Sequence, residues 1–212
     1  MPPSPPSADD PAATAVVCVE CQSGVLGPES VLPALAADSA HLIENMRRLL
    51  DAARRSGLRV IHATYEGVLG NQHTGTARIW RVLGPATAGW APGAAATKVL
   101  PELLSAGDLL LPRHHGLFPT AGSELLPVLS SFGVRTVVLV GVSLNLALPH
   151  TAGDLTQAGF RLVVPRDAVG GTPASYAEQV LTNTMALLGR LTTVDDLIAE
   201  WAGHHQQTSV SS

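Results

Sequence analysis

Lysine is almost absent from this sequence: of 212 residues, 12 are arginine and one, Lys98, is lysine. Chemistry that needs a lysine amine anywhere else is therefore excluded. Charge is scarce altogether, at 14% Asp, Glu, Lys and Arg, with a formal net charge of -4 and no basic block. That balance excludes the electrostatic footprint of a nucleic-acid binder. No apolar run approaches the ~18 residues of a membrane span, so no membrane association is expected. The first residues lack a cationic stretch followed by an apolar one, so no signal peptide is expected. Only two cysteines occur, Cys18 and Cys21, which fits free thiols and a cytoplasmic location. No cofactor is expected.

What the chain does have is apolar residues, 46% of the total. That is enough for one globular domain with a full core and no disulfide staples. Residues 1–13 carry five prolines and read as a disordered tail, and 204–212 read as a second flexible tail. Residues 14–203 between them form the expected single domain.

Within that domain, apolar strands alternate with amphipathic helices. Ala15–Val19 and Thr136–Val140 are continuous apolar runs, the pattern of strands covered on both faces. Leu58–Ala63, Leu109–Leu111 and Phe160–Val164 are further strands. Leu42, Met46, Leu49 and Leu50 mark a helix with Asp38 or Ser39 as its cap and Gly57 as its stop. Further helices are expected near 122–131, from the fourth strand to about Ala158, and from Thr172-Pro173 to Gly189. Thr193, with Asp196 three residues on, opens a last one. The predicted fold is α/β: a three-layer α/β/α arrangement around a mostly parallel, doubly wound sheet of five or six strands. Ligands of such sheets sit at the carboxyl ends of the strands. Residues 67–101, rich in Gly, Ala and Thr and containing Arg78, Trp80, Arg81 and Trp90, read as either a lid or a solvated excursion.

Several constellations invite chemistry. Cys18 and Cys21 form a C-x-x-C, but three residues apart along a strand they are expected on opposite faces, as structural thiols. The histidines offer no metal-ligand spacing, so no metal is expected. His114 and His115 are adjacent, and one of them is expected to face the site. Gly141 to Asn145 links a strand to a helix, where backbone N–H groups can hold an oxyanion, but it lacks the Gly-x-Ser-x-Gly pattern of a serine nucleophile. Glu20 ends an apolar strand. Unpaired, it would hold its proton toward neutral pH and serve as a general acid; the alternative is an ordinary carboxylate paired with an arginine.

The stretches VVCVECQSGVLG, PRHHGLF and GVSLNLALPHTAGDLTQAGFRLVVPRDAVGG carry a resemblance. They resemble, in order and spacing over about residues 14–200, the isochorismatase-like hydrolases, a superfamily that includes cysteine amidases. The resemblance implies the same Rossmann-like parallel sheet, a cis bond between Val142 and Ser143, and a homodimer or larger homo-oligomer. It also implies a catalytic Asp, Lys and Cys, and this chain has none of the three. Glu20 matches the Asp and Ala147 the Cys. The Lys falls on Leu111, or on Arg113 if the register slips by two. Without a thiol at Ala147 there is no covalent acyl-enzyme.

The resemblance with a degenerate triad leads to an expectation of non-covalent acid/base chemistry through Glu20 on a small, anionic metabolite, whose carboxylate Arg78, Arg81 or Arg113 would hold bidentately. Arg113 and His115 would orient that ligand, and Gln22, Val142, Ser143, Asn145, Arg78, Trp80 and Arg81 would bind it. Loss of the lysine counter-charge would favour a protonated Glu20. The alternative is a pseudoenzyme that binds a metabolite or a protein partner.

Overall fold

A computed structural model describes residues 11–70 and 72–210, the last seven as backbone only. The expectations for residues 1–10, 211 and 212 lie outside the described residues. Residues 11–13 are not tail: Pro11–Ala13 form a 3-10 turn with Ala13 buried. The carbonyl of Ala13 accepts a hydrogen bond from the Arg135 N–H at 2.8 Å.

The strands are β1 (Thr14–Val19), β2 (Arg59–Tyr65), β3 (Leu109–Arg113), β4 (Thr136–Val142), β5 (Arg161–Pro165), β6 (Val169–Gly170) and β7 (Arg190–Thr192). They form one seven-stranded sheet in the order β3-β2-β1-β4-β5-β7, with β6 alongside the end of β4. The pairings are all parallel. The sheet is thus one or two strands larger than the sequence predicts. The additions, β6 and β7, have two and three residues, too few to carry a hydrophobic period.

Every residue of β1 and β4 is buried, as the continuous apolar runs require. Alternation then divides them between two cores. Val16, Cys18, Val138 and Val140 face one layer of helices. Ala15, Val17, Val137 and Leu139 face the other.

The helices are α1 (Ser23–Leu26), α2 (Pro33–Ser39), α3 (Leu42–Arg55), α4 (Trp80–Ala86), α5 (Leu125–Ser131), α6 (Ala147–Gln157), α7 (Ala174–Val180), α8 (Ala186–Leu188) and α9 (Val194–Val210). On one face, α3 packs beside α9, and Met46, Leu49 and Trp201 join the first core. On the other, α5, α6 and α7 contribute Leu129, Leu148 and Ala177. Asp38 and Ser39 do not cap α3. They end a separate helix, α2, and Asp38 accepts a hydrogen bond from the Thr172 hydroxyl at 2.7 Å. Thr193 caps α9 as expected: the Asp196 N–H donates to its hydroxyl, which donates to the Asp196 carboxylate at 2.7 Å. α9 continues past residue 204, where the sequence places a tail.

The chain winds outward from β1 through β2 to β3, then returns to lay β4 on the other side of β1. That reversal opens a crevice above the carboxyl ends of β1 and β4.

Candidate functional site

The first residue past β1 sets up the site. Glu20 has φ 53, the left-handed conformation that costs a residue with a Cβ about 1–2 kcal/mol. Its N–H still donates to the Ala63 carbonyl at 3.0 Å, so the turn is anchored to β2. The turn interrupts the strand alternation. Cys21 is therefore folded back into the same core as Cys18, not onto the opposite face. Gly141 permits this crowding: a Cβ there would lie 2.3 Å from the Val19 carbonyl oxygen and 2.9 Å from the Cys21 sulfur.

Both thiols are free and buried. Burial pushes the Cys21 thiol up to about 12 and drives Cys18 up as well. Neither lines the crevice. Iodoacetamide at pH 8 should leave both unmodified in the folded protein and alkylate both after denaturation; mass spectrometry showing rapid native labelling would contradict their placement.

Glu20 itself is not unpaired. Its carboxylate accepts a hydrogen bond from Nη2 of Arg113, the last residue of β3. The two positions to which the resemblance carries the lysine lie in different surroundings. Arg113 supplies the counter-charge in the crevice, whereas Leu111 packs against the second core. The arginine side chain is 4% exposed. Its Nη2 also reaches the Leu117 carbonyl at 3.4 Å, while Nε and Nη1 have no acceptor. An unmet buried donor costs about 1–3 kcal/mol, and such groups collect where ligands bind. The guanidinium lies over the Tyr65 ring, 5.2 Å from its centroid.

Around this ion pair is a cavity of about 70 Å³. Its polar lining is Glu20, Arg113, Tyr65, Thr87 and Ser143; Ala147, at the start of α6, stands beside them. The remaining wall is apolar: Val25, Val31 and Leu32 on one side, Ile79, Trp80, Leu83 and Trp90 on another. The segment that the sequence reads as lid or excursion thus forms part of the wall. Tyr65 holds it in place. Its ring lines the cavity beside Thr87, whose hydroxyl donates to the Leu83 carbonyl at 2.8 Å. Burial pushes the Tyr65 phenol up. Tyr65 also sits 5.8 Å from Trp80 and 6.1 Å from Trp90, ring to ring. Gly67, at φ 74, allows that approach, since a Cβ would fall 1.9 Å from the Trp90 carbonyl oxygen.

The other expected site residues lie elsewhere. Arg78 and Arg81 are exposed and outside the cavity. Gln22 is fully buried as a strut: its amide donates to the carbonyls of Tyr65 and Thr97 and accepts from the Tyr65 N–H. It positions Tyr65 and does not face the crevice. Asn145 clamps the backbone of Thr172 through both ends of its amide. Val142 is buried in the first core, ahead of a cis Val142–Ser143 bond. Neither adjacent histidine faces the site, since His114 meets the Gly67 carbonyl and His115 the Gly122 carbonyl, each at 3.1 Å. Around Ser143, the Leu144 N–H already donates to the Gly170 carbonyl and the Leu146 N–H to the Ser143 carbonyl.

Tyr65, Thr87, Leu117 and the aliphatic wall were not legible in the sequence as site residues. Only the position of Tyr65 at a strand end gave a signal. Among the described residues, no group of three or more His, Cys, Asp or Glu side chains is placed to hold a metal ion. No helix among them is long and apolar enough to cross a membrane.

Comparison with known proteins agrees with this architecture. A maleamate amidohydrolase of Pseudomonas putida is 27% identical over 190 residues, 88% of this chain and 85% of that one. An uncharacterized isochorismatase family protein of Escherichia coli O157:H7 is 30% identical over 111 residues; the match spans 48% of this chain and 58% of that relative. The crystal structure of a cysteine hydrolase from Pseudomonas syringae pv. phaseolicola superposes with a TM-score of 0.79 at 20% identity, covering 94% of this chain and 96% of the other. The isochorismatase domain profile matches residues 14–196. The chain belongs to the isochorismatase family.

Proposed function

We propose that this protein acts on a small molecule by non-covalent acid/base chemistry, with Glu20 as the proton carrier and Arg113 as the charge stabiliser. The observation that carries this reading is the Glu20–Arg113 pair inside the cavity, next to Ala147, where a methyl group stands and no thiol is available.

Relatives that are amidohydrolases support hydrolysis as the reaction. Such a step balances with the residues present. A water oxygen attacks the substrate carbonyl carbon while its proton passes to the Glu20 carboxylate. The negative charge developing on the carbonyl oxygen is met by the unpartnered donors of Arg113. The tetrahedral species collapses, and the leaving group departs with the proton that Glu20 returns. No acyl-enzyme forms.

The ion pair also favours one second reading. Two groups that satisfy each other at rest suit a binding protein without turnover. Incubating the protein with a cytoplasmic metabolite extract separates the two. The first reading expects one species to be consumed at a rate proportional to protein concentration. A metabolite retained but never consumed would establish the second.

A further inference from the structure

The charge balance of the cavity says what kind of molecule fits it. The anionic substrate expected from the sequence rested on Arg78, Arg81 and Arg113. Two of these are outside, and the third already carries the carboxylate of Glu20. The cavity is therefore neutral as it stands: one buried cation, one carboxylate, two hydroxyl side chains, one phenol and an apolar wall. A second carboxylate would share one guanidinium with Glu20 in surroundings that desolvate both, the arrangement in which two like charges cannot both remain ionised. A cationic ligand meets the same obstacle from Arg113.

We infer that the cavity takes an uncharged molecule: a compact, largely apolar body bearing a carbonyl-type acceptor. This rests on the small-molecule reading above and names its substrate class. An acceptor is favoured by Arg113, which lines the cavity with a guanidinium whose Nε and Nη1 have no partner. A neutral oxygen meets that need without adding charge. Compactness follows from the small volume of the cavity, about 70 Å³. The apolar body follows from Trp80, Trp90, Leu83 and Leu32, with the rings of Trp80 and Trp90 braced by Tyr65. These residues set specificity by shape, and among them only the indole N–H groups of Trp80 and Trp90 can donate a hydrogen bond.

The test uses two probes of the same shape, isobutyramide and isobutyrate, titrated at pH 7.5 and followed by ligand-observed NMR. The native protein should bind the amide at least about tenfold more tightly than the acid. In Glu20→Gln the remaining charge is Arg113 alone, so the preference should reverse in favour of isobutyrate. The doubly neutralised Glu20→Gln/Arg113→Met variant should lose that reversal, which guards against a single variant that fails to fold. Shortening the body to acetamide should weaken binding about fourfold per methylene removed. Native protein that binds isobutyrate as tightly as isobutyramide would overturn the inference and leave the small-molecule site standing. If neither probe binds the native protein or Glu20→Gln, the site itself is misread and both conclusions fall.

Discussion

Replacing Glu20 with glutamine should cut turnover by at least about a hundredfold, the low end of what a positioned acid/base group contributes. The change is isosteric, so the cavity keeps its shape, and the loss should appear mainly in kcat. It should also destabilise the fold by about 3–5 kcal/mol, because Arg113 would be left as an uncompensated buried cation. Rate measurements therefore belong well below the lowered melting temperature. Glu20→Asp keeps the charge but retracts it by one methylene from Arg113, so it should fall between the native protein and Glu20→Gln in both rate and stability. Steady-state kinetics and thermal denaturation of the three proteins check this. Equal rates for native protein and Glu20→Gln would remove Glu20 from the chemistry.

A second effect on stability is expected away from the cavity. Asp108, just before β3, receives Arg54 Nη2 at 2.6 Å, the Ser105 N–H at 2.8 Å and His62 Nε2 at 3.1 Å. Its side chain is 2% exposed. Burial pushes the carboxyl up, but these three donors outweigh it and hold Asp108 below its ordinary 3.8. Removing the carboxylate leaves His62 without its partner, while Arg54 keeps Asp51 and the Leu103 carbonyl, so Asp108→Ala should cost about 1–3 kcal/mol and lower the melting temperature by roughly 5 °C.

The same cluster sets an acid limit. Burial holds His62 below its ordinary 6.5, against the pull of Asp108. As pH falls below 6.5 the unfolded chain takes up the His62 proton first, so stability drops. A further loss comes as pH falls below 3.8, when the unfolded chain protonates the Asp108 carboxyl ahead of the folded one. The urea midpoint should therefore decline between pH 7 and pH 5, and His62→Gln should flatten that decline. A native midpoint unchanged over this range would count against the cluster.

What the sequence made legible follows from how locally each feature is encoded. β1 and β4 announce themselves because a strand buried on both faces must be apolar throughout. The α9 cap is visible because Thr193 and Asp196 act across three residues. β6 and β7 are defined by their partners and leave no local trace. The pairing of Glu20 with Arg113 joins positions 93 residues apart, and only the parallel order of β1, β2 and β3 brings them together. The left-handed turn at Glu20 explains a further miss. Strand alternation places Cys18 and Cys21 on opposite faces, and one residue at positive φ cancels it. Arg78, Arg81, His114 and His115 have the chemistry of site residues but not the position. Their side chains find solvent or backbone carbonyls, whereas the cavity selects Tyr65 and Thr87, which sequence chemistry does not single out.

The central claim is that Glu20, not a cysteine, carries the reaction. It is tested most directly by following one metabolite extract over time by mass spectrometry with native protein, Glu20→Gln and Cys21→Ala in parallel, each verified as folded. The account predicts a species consumed by native protein and by Cys21→Ala at similar rates, and left intact by Glu20→Gln. Consumption that survives in Glu20→Gln, or that disappears in folded Cys21→Ala, would contradict it.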